Sequence, residues 1–129
     1  MTLSTLGLRH LALYVKNLEA CTAFYTQLIG MKIDWQPDPD NIYLSTGYDN
    51  LALHRAPSDF NPSQSQHLDH FGFMIRSAEE VNEWHDFLKS HAVDIKTPVK
   101  KHRDGATSFY FADPDGNVIQ FIHCPGIEK

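Results

Sequence analysis

The chain has 129 residues, the length of one domain, and its 42% hydrophobic and 21% charged residues are those of an ordinary folded protein rather than a disordered one. Eleven Lys and Arg against sixteen Asp and Glu leave a net charge of −5, which argues against a nucleic-acid partner. No stretch approaches the ~20 apolar residues of a membrane span or the pattern of a signal peptide, and Cys21 and Cys124 form no CxxC or disulfide framework, so a reducing, cytoplasmic setting without a membrane partner is expected.

Taken in chain order, residues 8–15 (LRHLALYV) alternate apolar and polar and predict a strand. Asn17 offers a helix N-cap, and Leu18, Cys21, Phe24, Tyr25 and Leu28 follow at helical spacing until Gly30 ends the run. Met31, Ile33 and Trp35 predict a second strand, Pro37 to Asn41 a turn, and residues 42–46 a third strand. A hairpin turn over 47–50 leads to a fourth strand at 51–55. Residues 57–67, rich in Pro, Ser and Gln, read as a linker.

The pattern then starts again. Residues 69–76 (DHFGFMIR) predict a strand, and Ser77 with Glu80 makes an S-x-x-E capping box ahead of a helix carrying Val81, Trp84 and Leu88. Strands follow at 93–97, 107–112 and 118–123, with the loop KHRDG before the second and the turn Asp113-Pro-Asp-Gly-Asn117 before the third. The order is βαβββ, linker, βαβββ. His10 and His70 lie 60 residues apart, as do Leu28 and Leu88, so the two units repeat in register. The expected fold is therefore α+β: a single domain over 1–129, made of two βαβββ modules (about 6–56 and 68–124) that form a cupped mixed sheet with the helices on the outer face.

Alternation assigns the faces. Leu11, Leu13 and Val15, then Phe71 and Phe73, then Phe109 and Phe111, then Ile119 and Phe121 make an apolar face for the helices. The opposite face collects His10, Tyr14, His54, His70, Met74, Tyr110 and Gln120. A single strand histidine is ordinarily structural. Two at equivalent positions of two repeats, on one face, point instead to a shared ligand.

The segments LRHLALYV…AFYTQLIGMKI, LDHFGFMI and FYFADPDGNVIQFIH resemble the vicinal oxygen chelate superfamily, the group of glyoxalase I, bleomycin- and fosfomycin-resistance proteins and extradiol dioxygenases. The resemblance runs over nearly the whole chain. It implies a divalent metal (Fe, Zn, Ni, Mn or Co) held by His10, His70 and Gln120, and a small-molecule substrate. Two positions depart from the family's pattern: Gln120 stands where Glu is usual, and Ala52 stands where the first module has its own last-strand ligand. His54, two residues on and on the same face as Ala52, is the nearest substitute. Tyr110 stands ten residues before Gln120, where extradiol dioxygenases have a tyrosine facing the substrate.

These residues suit a metal-dependent lyase, isomerase or dioxygenase, with Tyr110 or His54 as acid or base. Tyr14, Trp35 and Met74 would line the site, and Arg103 would meet an anionic group. The other reading is metal-free binding or sequestration of a drug-like molecule, which the missing acidic ligands favour. Pairing into a homodimer is the remaining expectation.

Overall fold

The computed structural model describes residues 5–61 and 68–126, so the second half of the predicted linker, 62–67, lies outside the described residues. The chain divides into two compact units, residues 1–61 and 62–129. Each is a small α+β unit in which one helix lies against a mixed sheet.

In the first unit, β1 (His10–Val15) is followed by α1 (Leu18–Ala23), β2 (Lys32–Asp38), β3 (Asn41–Ser45) and β4 (Asn50–Arg55). The strand order is β1-β4-β3-β2. β1 runs parallel to β4 and the other pairs are antiparallel. Leu13 and Val15 of β1 and Leu51 and Leu53 of β4 are buried, whereas His10, Ala12 and Tyr14 face outward. The Asn17 side chain accepts from the Ala20 N–H at 3.0 Å, so α1 starts where its N-cap predicts. Its ending differs from expectation. Phe24–Leu28 wind as a π-turn, closed by Ile29 N–H to Phe24 O at 3.2 Å and Met31 N–H to Tyr25 O at 2.9 Å. Gly30, at φ +93°, then reverses the chain.

β2 also runs further than its sequence suggests, because Asp38 accepts from the Asp40 N–H at 2.8 Å and confines the turn to Pro39 and Asp40. It is an edge strand with register shifts on either side of Trp35, which accommodates Pro37.

The second unit has β5 (Phe71–Met74), α2 (Ala78–Ser90), β6 (Asp94–Ile95), β7 (Lys100–Lys101), β8 (Thr107–Ala112) and β9 (Val118–His123). Its order is β5-β9-β8-β6. β5 is parallel to β9, and β7 adds to β8. The short β7 appears where only a loop was expected. Its two residues pair with Thr107 and Ser108.

Ser77 caps α2 by accepting the Glu80 N–H at 3.1 Å. Val81 and Leu88 of α2 are fully buried, and the helix packs on β8, β9 and β6, where Phe109, Phe111, Ile119 and Phe121 complete the core. The hairpin between β8 and β9 is set by buried Asp113. One of its carboxylate oxygens accepts the N–H groups of Asp115 and Asn117, both at 2.9 Å, and the other accepts the Asn117 side-chain amide at 2.8 Å. That turn fixes the register that puts Tyr110 opposite Gln120.

Candidate functional site

On the outward face of the first unit, strand register decides which polar side chains meet. His10 on β1 lies opposite Asn50 on β4, and its Nδ1 stands 2.8 Å from the Asn50 Oδ1. His54 on β4 lies opposite Asn41 on β3, with Nδ1 2.6 Å from the Asn41 Oδ1. An amide oxygen only accepts, so each contact calls for the proton on Nδ1, and in the neutral ring the lone pair then falls on Nε2.

Rings surround His54. Tyr14 and Tyr43 meet it edge-on, with centroids at 6.3 and 5.9 Å, and Trp35 stacks on Tyr43 at 5.2 Å and 22°. Trp35 is 59% exposed and Tyr14 48%. Between His10 and these rings, Ala12 and Ala52 pair side by side and leave the middle of the face low.

In the second unit, Gly72, Gln120 and Tyr110 form one row across β5, β9 and β8. A Cβ on Gly72 would stand 2.9 Å from the Gln120 backbone oxygen, so this close pairing requires glycine. His70, just before β5, packs edge-on against the Tyr110 ring at 5.0 Å. Its Nδ1 is 2.7 Å from the Asp69 carboxylate, which leaves Nε2 as the unprotonated nitrogen of the neutral ring. Three of the sequence-predicted residues, His70, Tyr110 and Gln120, are thereby neighbours. Met74 is exposed at the end of β5, opposite Ile122.

Arg103 lines an open cleft of about 580 Å³ with Lys100, His102, Asp104, Ala106, Gln120 and Ile122. His102 is held by its Nε2 at 2.7 Å from the Oγ of buried Ser108. Asp104 is occupied with the Ala106 N–H at 3.0 Å. Lys100 and Arg103 make no ion pair among the described residues.

Arg55, at the end of β4, is committed to ion pairs. It bonds Glu19 at 2.9 Å and Asp40 at 2.7 Å, and it holds the Glu19 carboxyl below the usual carboxylate range. Sequence reading missed the imidazole partners Asn50, Asn41 and Asp69. Only Asp69, adjacent to His70, was visible without knowing the strand register.

Among the described residues, no three His, Cys, Asp or Glu side chains cluster as a metal site. The proposed set contains only two such residues, His10 and His70, with an amide as its third donor. The donor chemistry nevertheless suits a metal. A ligating imidazole ordinarily donates its other N–H to an oxygen acceptor, and both His10 and His70 do so through Nδ1.

Residues 7–121 match the family model of the Glyoxalase/Bleomycin resistance protein/Dioxygenase superfamily. Fosfomycin resistance protein FosX of Listeria innocua is 26% identical, the match covering 95% of this chain and 92% of that protein. The 1,2-dihydroxynaphthalene dioxygenase of Sphingobium xenophagum is also 26% identical, over 89% of this chain but only 40% of its own length. The crystal structure of lactoylglutathione lyase from Agrobacterium tumefaciens superposes with a TM-score of 0.75 at 23% identity, covering 91% of this chain and 92% of that one. Among the described residues, no helix is long and apolar enough to cross a membrane. With its family model matched over most of its length and the fold repeated in solved relatives, the chain belongs to the glyoxalase, bleomycin resistance protein and dioxygenase superfamily.

Proposed function

We propose that the protein is a metal-dependent enzyme that chelates a small oxygen-rich substrate, with His10, His70 and Gln120 as the metal ligands. The observation that carries this reading is the shared anchoring of the two repeat-equivalent histidines. Each fixes Nδ1–H on a side-chain oxygen, at 2.8 Å for His10 and 2.7 Å for His70, and each is left with Nε2 as a donor. Imidazole and amide donors suit Zn, Fe, Ni, Mn or Co. A bound divalent ion would supply Lewis acidity toward adjacent substrate oxygens. Because Gln120 is neutral, the set carries no anionic protein ligand.

The chain's own residues then do the rest. Tyr110, against His70, and His54 are the acid–base candidates. Tyr14, Trp35 and Met74 offer apolar contact. Arg103, with Lys100 beside it in the cleft that Gln120 also lines, supports a substrate carrying an anionic group. Lyase, isomerase or dioxygenase chemistry fits this arrangement, in a cytoplasmic homodimer.

Metal analysis of protein purified without chelator tests the reading. The native protein should carry near-stoichiometric divalent metal, and His70→Ala should lose it. Equal, negligible metal in both overturns the proposal.

A second reading, metal-free capture of an aromatic molecule, is favoured by one feature, the exposed Trp35 stacked on Tyr43. Thermal-shift ligand screening with and without EDTA separates the two. Stability that depends on metal argues for the enzyme, and ligand-induced stability indifferent to EDTA argues for capture.

A further inference from the structure

The Asn41 amide does more than accept a hydrogen bond from His54. Its nitrogen donates to both carboxylate oxygens of Asp38, at 2.9 and 3.0 Å. The amide therefore cannot turn round without bringing its oxygen against a carboxylate, and its Oδ1 is committed to the His54 Nδ1 at 2.6 Å. Asp38 is itself pinned by the Asp40 N–H at 2.8 Å, and the Asn41 and Asp40 donors hold its carboxyl below the usual range. The chain carboxylate–amide–imidazole runs along one row of the outward face, Asp38 to Asn41 to His54, set by the β2–β3–β4 register.

We propose that Asp38 and Asn41 are positioning residues that lock His54 in the Nδ1–H tautomer and present its Nε2 lone pair on the outward face as a proton acceptor. That face is ringed by aromatic groups, with Tyr14 and Tyr43 edge-on to the imidazole. They restrict the ring's rotation and leave Nε2 as the atom without a hydrogen-bond partner among the described residues. The role in catalysis rests on the reading of His54 as an acid–base group. The tautomer lock does not, nor does it involve metal. A base oriented in this way is suited to removing a proton from an O–H or C–H acid, the proton passing to Nε2 and the charge of the resulting imidazolium being met through Asn41 by Asp38.

Long-range ¹⁵N–¹H correlation spectra of the full chain at about pH 8, where free imidazole is neutral, read the tautomer directly. His54 should appear as the Nδ1–H form. Asn41→Leu should convert it to the Nε2–H form, Asp38→Ala should give a mixture, and Asn41→Asp, which keeps an oxygen opposite Nδ1, should restore the native tautomer. Acylation by diethyl pyrocarbonate should label native His54 at Nε2 and slow several-fold in Asn41→Leu. A native spectrum showing the Nε2–H form, or a labelling rate unchanged by Asn41→Leu, overturns the proposal. The native spectrum alone decides between the two tautomers, even if a variant fails to fold. Absence of metal from the protein would leave the tautomer result standing, so failure of the metal reading and failure of this one are told apart.

Discussion

Gln120 is the residue on which the proposed metal chemistry turns. It sits between Gly72 and Tyr110 in one row of the second unit's sheet, with the Gly72 position too tight for any Cβ. Its amide keeps an oxygen donor at the place of the usual carboxylate but removes the charge. Ligand charge sets much of the affinity of a site for a divalent ion, so Gln120→Glu should tighten Mn²⁺ or Zn²⁺ binding about tenfold or more. Calorimetric titration of the chelator-treated protein measures this, and equal affinity in the two proteins would place the metal away from residue 120. The side chain is only partly buried and lines the open cleft, so the substitution should leave stability almost unchanged. His10 and His54 were legible in the sequence because a period-2 pattern puts each on the outward face of its strand in the first unit. Their amide partners were not. His10 meets Asn50 only through the pairing of β1 with the distant β4, and His54 meets Asn41 only through the register of the β3–β4 hairpin.

At the scale of elements, the two helices show how much local sequence determines and where it stops. Both N-termini follow their caps, Asn17 and Ser77. The C-termini differ. α2 ends with Ala92 N–H to Lys89 O and Val93 N–H to Leu88 O, both at 3.2 Å, the paired bonds of a Schellman ending. That ending demands a left-handed residue, and Ala92 takes it at φ +59°, where the first unit uses Gly30 at +93°. A non-glycine residue there costs about 1–2 kcal/mol, and glycine returns part of that gain as unfolded-chain entropy, about 0.5–1 kcal/mol. Ala92→Gly should therefore stabilise the protein by about 0.5–1 kcal/mol, seen as a raised urea midpoint with an unchanged slope. A lowered midpoint would mean that the methyl group contributes packing that outweighs the backbone strain. The π-turn of Phe24–Leu28 and the two-residue β7 had no sequence signature. The same apolar spacing serves an α- or a π-turn, and β7 exists only because β8 offers Thr107 and Ser108 as partners.

Over the whole molecule, the βαβββ order and its repetition were readable because each strand alternates and each turn carries Gly, Pro, Asn or Asp. The polar side chains nonetheless differ between the copies. The first unit holds the hydrogen-bonded Asp38, Asn41 and His54 and the exposed rings, and the second holds the cleft that Lys100, Arg103 and Gln120 line. Two carboxyls of the first unit are held below the usual carboxylate range. Glu19 is held low mainly by its hydrogen bond from Arg55, and Asp38 mainly by those from Asn41 and then Asp40. Both carboxyls have a lower pKa folded than unfolded, so near pH 4 the unfolded chain binds more protons than the native one. Their contribution is fully present above the unfolded carboxylate range and is lost as pH falls through the lower, folded values. The urea midpoint should hold steady from neutrality down to about pH 5 and then decline. Glu19→Gln keeps the side-chain shape but removes the titrating group, so it should lower the midpoint at neutral pH and flatten the decline below about pH 5. Since Glu19 is largely exposed, with 71% of its side chain accessible, solvent screens the pair, and high salt should narrow the difference between the two proteins. A Glu19→Gln profile parallel to the native one would show that the α1-to-β4 link through Arg55 contributes nothing to the acid response, leaving Asp38 and the remaining carboxylates to account for it.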